Sequence, residues 1–263
     1  MGAREKMAAG KFGLLDRLLH RRALARWTQA AQHAEEAELE KLRLQSHQAR
    51  QLRARLDALA HVADSRLALP RIGSNSFVRP GGTLWSWRPQ VWRGPLGQRG
   101  IASVETKTPL GDEVVLYHDC KISELTVRQV RNMREADLAP FGLRMDVFRF
   151  DGSFLSLVLE APKGAVVGLQ RRHLIQLKTI IEVEKPIEVF ARLNIQHGPN
   201  TEQLTLELPM SQDEIMVEFD LGYSELNEKR IEKMWVDLIF EGPEMNQITI
   251  RDLTFCRYPR AEL

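Results

Sequence analysis

From Leu143 to the C-terminus, apolar and polar residues alternate in short runs separated by turn residues. The clearest run sets Ile215, Val217, Phe219 and Leu221 against Glu214, Glu218 and Asp220. Side chains on a strand point to opposite faces at every step, so this run has one buried face and one wet, acidic face. It predicts antiparallel sheet packed on one side only. Strands are expected near 113–118, 123–130, 143–150, 154–159, 173–184, 187–196, 201–208, 214–221, 234–241 and 248–258. Four of them have a consistent inward set: Ile175, Leu177, Ile181 and Val183; Val189, Ala191, Leu193 and Ile195; Leu204, Leu206 and Leu208; Met234, Val236, Leu238 and Phe240. In the last strand Ile248 and Ile250 are even but Leu253 and Phe255 are odd, and this one-residue slip at Arg251-Asp252 predicts a β-bulge. Asp151-Gly152 predicts a tight hairpin, Lys185-Pro186 turns another pair, and His197 to Asn200 a third. Without crossover helices, the expected fold class is mostly β. It is an antiparallel, jelly-roll-like β-sandwich preceded by an N-terminal α-helical segment.

The period changes before residue 70. Residues 11–67 lack proline and are dense in Ala, Leu, Arg, Gln and Glu, which favour helix. Leu15, Leu19, Ala23 and Trp27 recur every four residues. Leu42, Ala49, Leu56 and Ala63 recur every seven, with Leu52 and Leu59 at the complementary positions. Gln45 and Arg66 share those positions, so the seam predicts a short coiled coil or helical hairpin and not a long rod. Self-association through 11–69 follows from it. His33, His47 and His61, fourteen residues apart, would lie about 21 Å from one another along a helix, too far to share a metal. The basic stretch 11–31, with Arg17, Arg21, Arg22 and Arg26, could rest on an anionic membrane, but docking on a protein surface is favoured.

Pro70, Pro80, Pro89, Pro95 and Pro109 with seven glycines break up the stretch from Leu69 to Gly111, which also holds Trp85, Trp87 and Trp92. A flexible linker would not leave three tryptophans in water. The segment is expected to pack on the sandwich. Three parts result: 1–69, a helical oligomerisation or docking segment; 70–112, a Trp/Pro/Gly-rich segment; and 113–263, the sandwich domain.

Composition refines this outline. The formal net charge of +2 hides 13 − 8 = +5 over 1–70, 10 − 7 = +3 over 71–142 and 14 − 20 = −6 over 143–263. An acidic sandwich lacks the continuous basic stripe of a nucleic-acid module, so nucleic acid is not an expected partner. Cys120 and Cys256 have neither metal-like nor redox spacing and fit reduced thiols, although one long-range disulfide also fits. No apolar run nears 18 residues, and Asp16 and Arg17 interrupt the leucines near the N-terminus where a signal peptide would be uniformly apolar. A cytoplasmic protein is the expectation.

The strand order over roughly 140–263, and the closing run from Trp235 through Glu241-Gly242-Pro243 to Ile248-Thr249-Ile250 and Phe255, resembles the jelly-roll sandwiches of carbohydrate-binding modules and galactose-binding-like domains. The full chain also resembles an alphaproteobacterial family of unknown function. The shared stretches are Phe150-Asp151-Gly152-Ser153-Phe154-Leu155-Ser156-Leu157 and Arg192-Leu193-Asn194-Ile195-Gln196-His197-Gly198-Pro199-Asn200. These resemblances imply a fold and no chemistry.

Four groups of residues could carry chemistry. His118-Asp119-Cys120 places base, carboxylate and thiol together, but nothing nearby lowers the thiol pKa, so a structural strand end is expected. Glu182, Glu184, Glu214, Glu218 and Asp220 could supply the two carboxyls of glycoside hydrolysis, which must stand roughly 5–9 Å apart in a cleft. Alternate charges on a strand read more simply as its solvated face. Trp85, Trp87 and Trp92 are expected to staple their segment to the sandwich rather than offer a stacking platform. Phe190, Arg192 and Asn194 project from the polar side of a strand entering the His197–Asn200 turn, and Trp235 and Asp237 project likewise from another. An aromatic face beside Arg, Asn and Asp suits a sugar, whose C–H face stacks and whose hydroxyls need planar polar partners. The candidate ligand-binding set is therefore Phe190, Arg192, Asn194, His197, Asn200, Trp235 and Asp237. No catalytic residue, metal or cofactor is expected. The favoured function is a non-enzymatic module that recognises a glycan or a protein surface. The alternatives are a scaffold without a small ligand and a saccharide-acting enzyme using carboxylates.

Overall fold

The computed structural model describes residues 14–72, 76–134 and 136–260. Two units are distinguished by their internal contacts, Met1–His61 and Val62–Leu263.

In the first unit α1 spans Leu14–Gln32 and α2 starts at Leu39, running on to Ile72 with Pro70 in its last turn. The expected start at residue 11 lies, for 11–13, outside the described residues. The connecting residues 33–38 reverse the chain, and Arg26 Nη2 donates to Gln48 Oε1 at 3.1 Å across the pair. The helices thus form a hairpin. Among the described side chains from 18 to 57 none is buried, and Leu52, Leu56 and Leu59 are 46, 55 and 66% exposed. No described helix is long and apolar enough to cross a membrane.

The second unit is a sandwich of two sheets in which every pairing is antiparallel. Short strands β1 (Trp85–Trp87), β2 (Gly100–Ala102) and β3 (Thr108–Pro109) come first, with one helical turn, α3 (Gln90–Arg93), between β1 and β2. Then follow β4 (Val114–His118), β5 (Leu125–Arg131), β6 (Phe141–Val147), β7 (Leu155–Glu160), β8 (His173–Val183), β9 (Glu188–His197), β10 (Asn200–Glu207), β11 (Ile215–Asp220), β12 (Ile231–Glu241) and β13 (Asn246–Pro259). One sheet runs β11-β8-β13-β6-β5-β2, with β1 added on β13. The other runs β10-β9-β12-β7-β4-β3.

All ten expected strands form. The inward sets of β8, β9 and β12 meet in the core, while Val183, Leu204 and Leu206 are half-buried at its edge. The slip at Arg251 is a bulge in the β13–β8 ladder between Ile250 and Asp252. A bulge leaves carbonyls without ladder partners, and three side chains take them. Trp92 Nε1 donates to Ile250 O at 2.8 Å, Asn132 Nδ2 to Arg251 O at 2.8 Å, and Thr179 Oγ1 to Asp252 O at 2.8 Å. Arg88 grips the Asp252 carboxylate with Nε and Nη2 at 2.9 and 2.7 Å.

Two turn expectations need correction. Asp151-Gly152 joins β6 to β7 and Lys185-Pro186 joins β8 to β9, but these strands lie in different sheets and do not pair. The turn residues carry the chain across the sandwich edge. Asp151 Oδ1 accepts from Lys121 N, and a Cβ on Gly152 would come within 2.5 Å of Asp119 Oδ1, so the glycine permits close approach of two loops. Only the third turn is a hairpin, with His197 opposite Asn200 and Gly198 at φ +62 in its first central position.

Candidate functional site

The outer face of the six-stranded sheet carries the expected polar side of β9 and β12, and the register fixes its neighbours. In one row across the strands, Gln203, Asn194, Trp235 and Glu160 lie side by side. In the next, Thr205, Arg192, Asp237, Val158 and Val115 do so. A third holds Glu207, Phe190, Ile239, Ser156 and Tyr117. Over the middle of this grid runs an open groove of about 570 Å³, lined by Tyr117, Phe154, Ser156, Val158, Glu160, Arg192, Lys233, Trp235, Asp237 and Ile239.

Inside the groove the charges are fixed by one another. Arg192 donates through Nε and Nη2 to Asp237 Oδ2 at 2.9 and 2.7 Å, and Asn194 Nδ2 reaches the same oxygen at 3.1 Å. Asn194 is itself held by Gln203 Nε2, which donates to its Oδ1 at 2.9 Å. The Asp237 side chain is 6% exposed and that of Arg192 39%, so a buried carboxylate anchors a guanidinium whose outer edge meets solvent. Lys233 Nζ pairs with Glu160 at 3.2 Å and lies 5.5 Å from the centre of the Trp235 ring, a cation–π contact. Two cations and two carboxylates give the groove a formal charge of 2 − 2 = 0.

Arg192, Trp235 and Asp237 meet in the groove, and Asn194 supports them from beneath. Phe190 shares their face, next to Ile239, but does not line the groove. His197 and Asn200 are not part of it. His197 has the odd phase of Val189 to Ile195 and is buried, its Nδ1 accepting from Asn227 N at 3.4 Å, while Asn200 is exposed opposite it in the hairpin. Sequence reasoning omitted Tyr117, Phe154, Ser156, Val158, Glu160 and Lys233. A signal existed for β7, where Leu155, Leu157 and Leu159 alternate with Ser156, Val158 and Glu160. Nothing in one sequence says that β7 lies beside β12.

The other groups are structural. His118 uses both ring nitrogens: Nε2 contacts Val104 O at 2.8 Å, and Nδ1 accepts from Cys120 N at 3.1 Å. Burial pushes the Cys120 thiol up, the opposite of what a nucleophile needs. The Ser153 hydroxyl holds the Asp119 carboxyl below its usual range. Glu214 pairs with Lys178, Glu182 with Arg134 and Arg251, and Asp220 with Arg260, while Glu218 meets Tyr258. None of these carboxylates lines the groove. Trp92 and Trp87 are buried, the latter stacked on Phe255 at 5.3 Å, and cannot serve as an open platform.

Solved structures similar to this chain include the family 11 carbohydrate-binding module from Clostridium thermocellum in complex with a β-1,3-1,4-mixed-linked tetrasaccharide. It is 10% identical over 64% of this chain and 100% of that one, with a TM-score of 0.37. The CBM22-1 xylan-binding domain from Paenibacillus barcinonensis Xyn10C is 9% identical over 71% and 100%, with a TM-score of 0.36. The enzymatically active domain of tailspike protein 4 from bacteriophage CBA120 is 7% identical over 59% and 21%, with a TM-score of 0.39. Likenesses this distant carry no inference about what the chain binds. No curated protein matches. The match that covers the chain is over residues 7–263, and by it the protein belongs to a family of unknown function, DUF6478.

Proposed function

We propose that this protein is a non-catalytic binding module that recognises a saccharide in the groove on the outer face of the six-stranded sheet. One observation carries the reading. The half-exposed ring of Trp235 lies beside an Arg192 guanidinium that is oriented by a buried Asp237 and Asn194. A ring offers its face to the C–H side of a sugar, and a pre-oriented guanidinium donates to hydroxyls without losing rotamer freedom on binding. The floor beside them is apolar, from Val158 and Ile239. Both groove carboxylates are tied to cations, which favours binding over acid–base chemistry. The helical hairpin serves as an assembly element. None of its described side chains from 18 to 57 is buried, and its exposed leucines are available to a second copy.

A glycan microarray followed by isothermal titration calorimetry tests the groove. Binding by the native protein that is lost in Trp235→Ala, with melting temperature retained, is the expected result. Absence of any glycan ligand across the array, with protein partners captured instead through this face, would reject the saccharide reading.

A further inference from the structure

The groove has a second aromatic station far from the first, and resting on the saccharide reading above, we infer that its ligand is an uncharged oligosaccharide longer than a disaccharide. Trp235 stands in the first row on β12 and Tyr117 in the third row on β4. Their Cα positions are two strand spacings apart across the sheet and four residues apart along it, roughly 16 Å. A ligand held at both stations at once must run the length of this diagonal. The floor between them is Val158, in the middle row on β7, a flat apolar step with the Arg192–Asp237 pair on one side and Val115 on the other. Phe154 stands beside Tyr117 at the far end. A chain laid diagonally would stack at Trp235, meet the Arg192 guanidinium near the middle and stack again at Tyr117.

The charge state selects among chains. Lys233 and Arg192 each have a carboxylate partner in the groove, so neither is a free counter-charge for a uronate or sulfate group. An acidic group on the outer edge of Arg192 would share its guanidinium charge with the buried Asp237 carboxylate and would gain less there than at a free cation. Uncharged hydroxyls can share the guanidinium edge without breaking the pair.

Calorimetry on the full-length protein with neutral linear gluco-, xylo-, manno- and galacto-oligosaccharides, from monosaccharide to hexasaccharide, tests this. Affinity for the bound series should climb at least about tenfold from the disaccharide to the tetrasaccharide or pentasaccharide and then level off, a gain of about 1.4 kcal/mol. Tyr117→Val, a change suited to a strand, should remove that gain, so that affinity no longer rises from the disaccharide to the tetrasaccharide in a protein that still melts cooperatively. Oligogalacturonates of the same length should not bind. Glycan binding that is flat with length, is indifferent to Tyr117→Val, or favours the oligogalacturonates overturns this inference and leaves the saccharide module standing. No binding by any series overturns both. The length dependence is read on the unaltered protein, so a Tyr117 variant that fails to fold does not spare the proposal.

Discussion

Trp235 and Trp92 show how much a single residue's phase on its strand decides. Trp92 is completely buried and spends its indole N–H on the bulge carbonyl of Ile250, so Trp92→Ala should lower stability by about 3–5 kcal/mol. Trp235 projects from the opposite face to Val236, Leu238 and Phe240, and Trp235→Ala should cost under about 1.5 kcal/mol, chiefly the lost Lys233 contact and partial burial. Urea denaturation of both variants checks the contrast, and equal losses would place Trp235 in the core. That phase was legible, because Met234, Val236, Leu238 and Phe240 hold one face of β12 although Ile239 shares the other with Trp235. The groove residues contributed by β4 and β7 were not, since pairing partners depend on topology. His173 gives a pH signature. It is buried, its Nδ1 accepts from Gln170 N at 3.0 Å, and burial, then Arg257 and Arg172, hold its pKa below the ordinary value against a weaker pull from Glu228. A base whose folded pKa is lowered binds fewer protons folded than unfolded. Its contribution to stability is therefore complete above the ordinary value of about 6.5 and lost as pH falls below it. Melting temperature measured from pH 7.5 to 5 should fall more steeply for the native protein than for His173→Gln, whose amide oxygen can accept the same N–H.

Among the elements, strands were readable and their connections less so. A strand declares its faces through period two, and even the bulge at Arg251 appeared as a change of parity. A turn declares only that the chain bends. Asp151-Gly152 and Lys185-Pro186 bend it between sheets, whereas His197 to Asn200 closes a hairpin, and the difference lies in which strands are neighbours. The partners of the bulge, Arg88, Trp92 and Asn132, come from distant stretches with no periodic signal. The short strands β1 to β3 were missed for the same reason. For the helices the heptad seam gave the leucines, and the structure leaves them uncovered. Sedimentation velocity of the full-length protein should show a dimer or higher oligomer that Leu52→Ser with Leu56→Ser converts to monomer. The exposed positions carry no fold-stabilising burial, so the sandwich melt should be unaffected. A native protein that stays monomeric at high micromolar concentration removes the assembly role.

At the scale of the whole molecule, charge and core divide the chain differently. The sign of charge changes near residue 142, inside the sandwich, while the core begins much earlier. Trp87, Val91, Trp92, Leu96, Val104 and Leu110 are buried in the same cluster as the long strands, although they precede every strongly alternating run. Each such side chain contributes about 1.5–3 kcal/mol when fully buried, against a total stability of about 5–15 kcal/mol for a domain. Six of them are therefore enough to decide whether the sandwich folds. A protein beginning at residue 76 should keep a β-type far-UV circular dichroism spectrum, a cooperative melt and any saccharide binding, because every core residue among the described residues lies beyond that point. One beginning at residue 113 should lose all three. It also loses the Trp92 donor to Ile250 O and the Arg88 grip on Asp252, so the bulge in the middle of the seven-stranded sheet would be left with an unsatisfied carbonyl and an unpaired carboxylate. Cooperative melting of the shorter protein would mean that the long strands alone hold the core. Collapse of the longer one would mean that the helical hairpin contributes to the sandwich's stability.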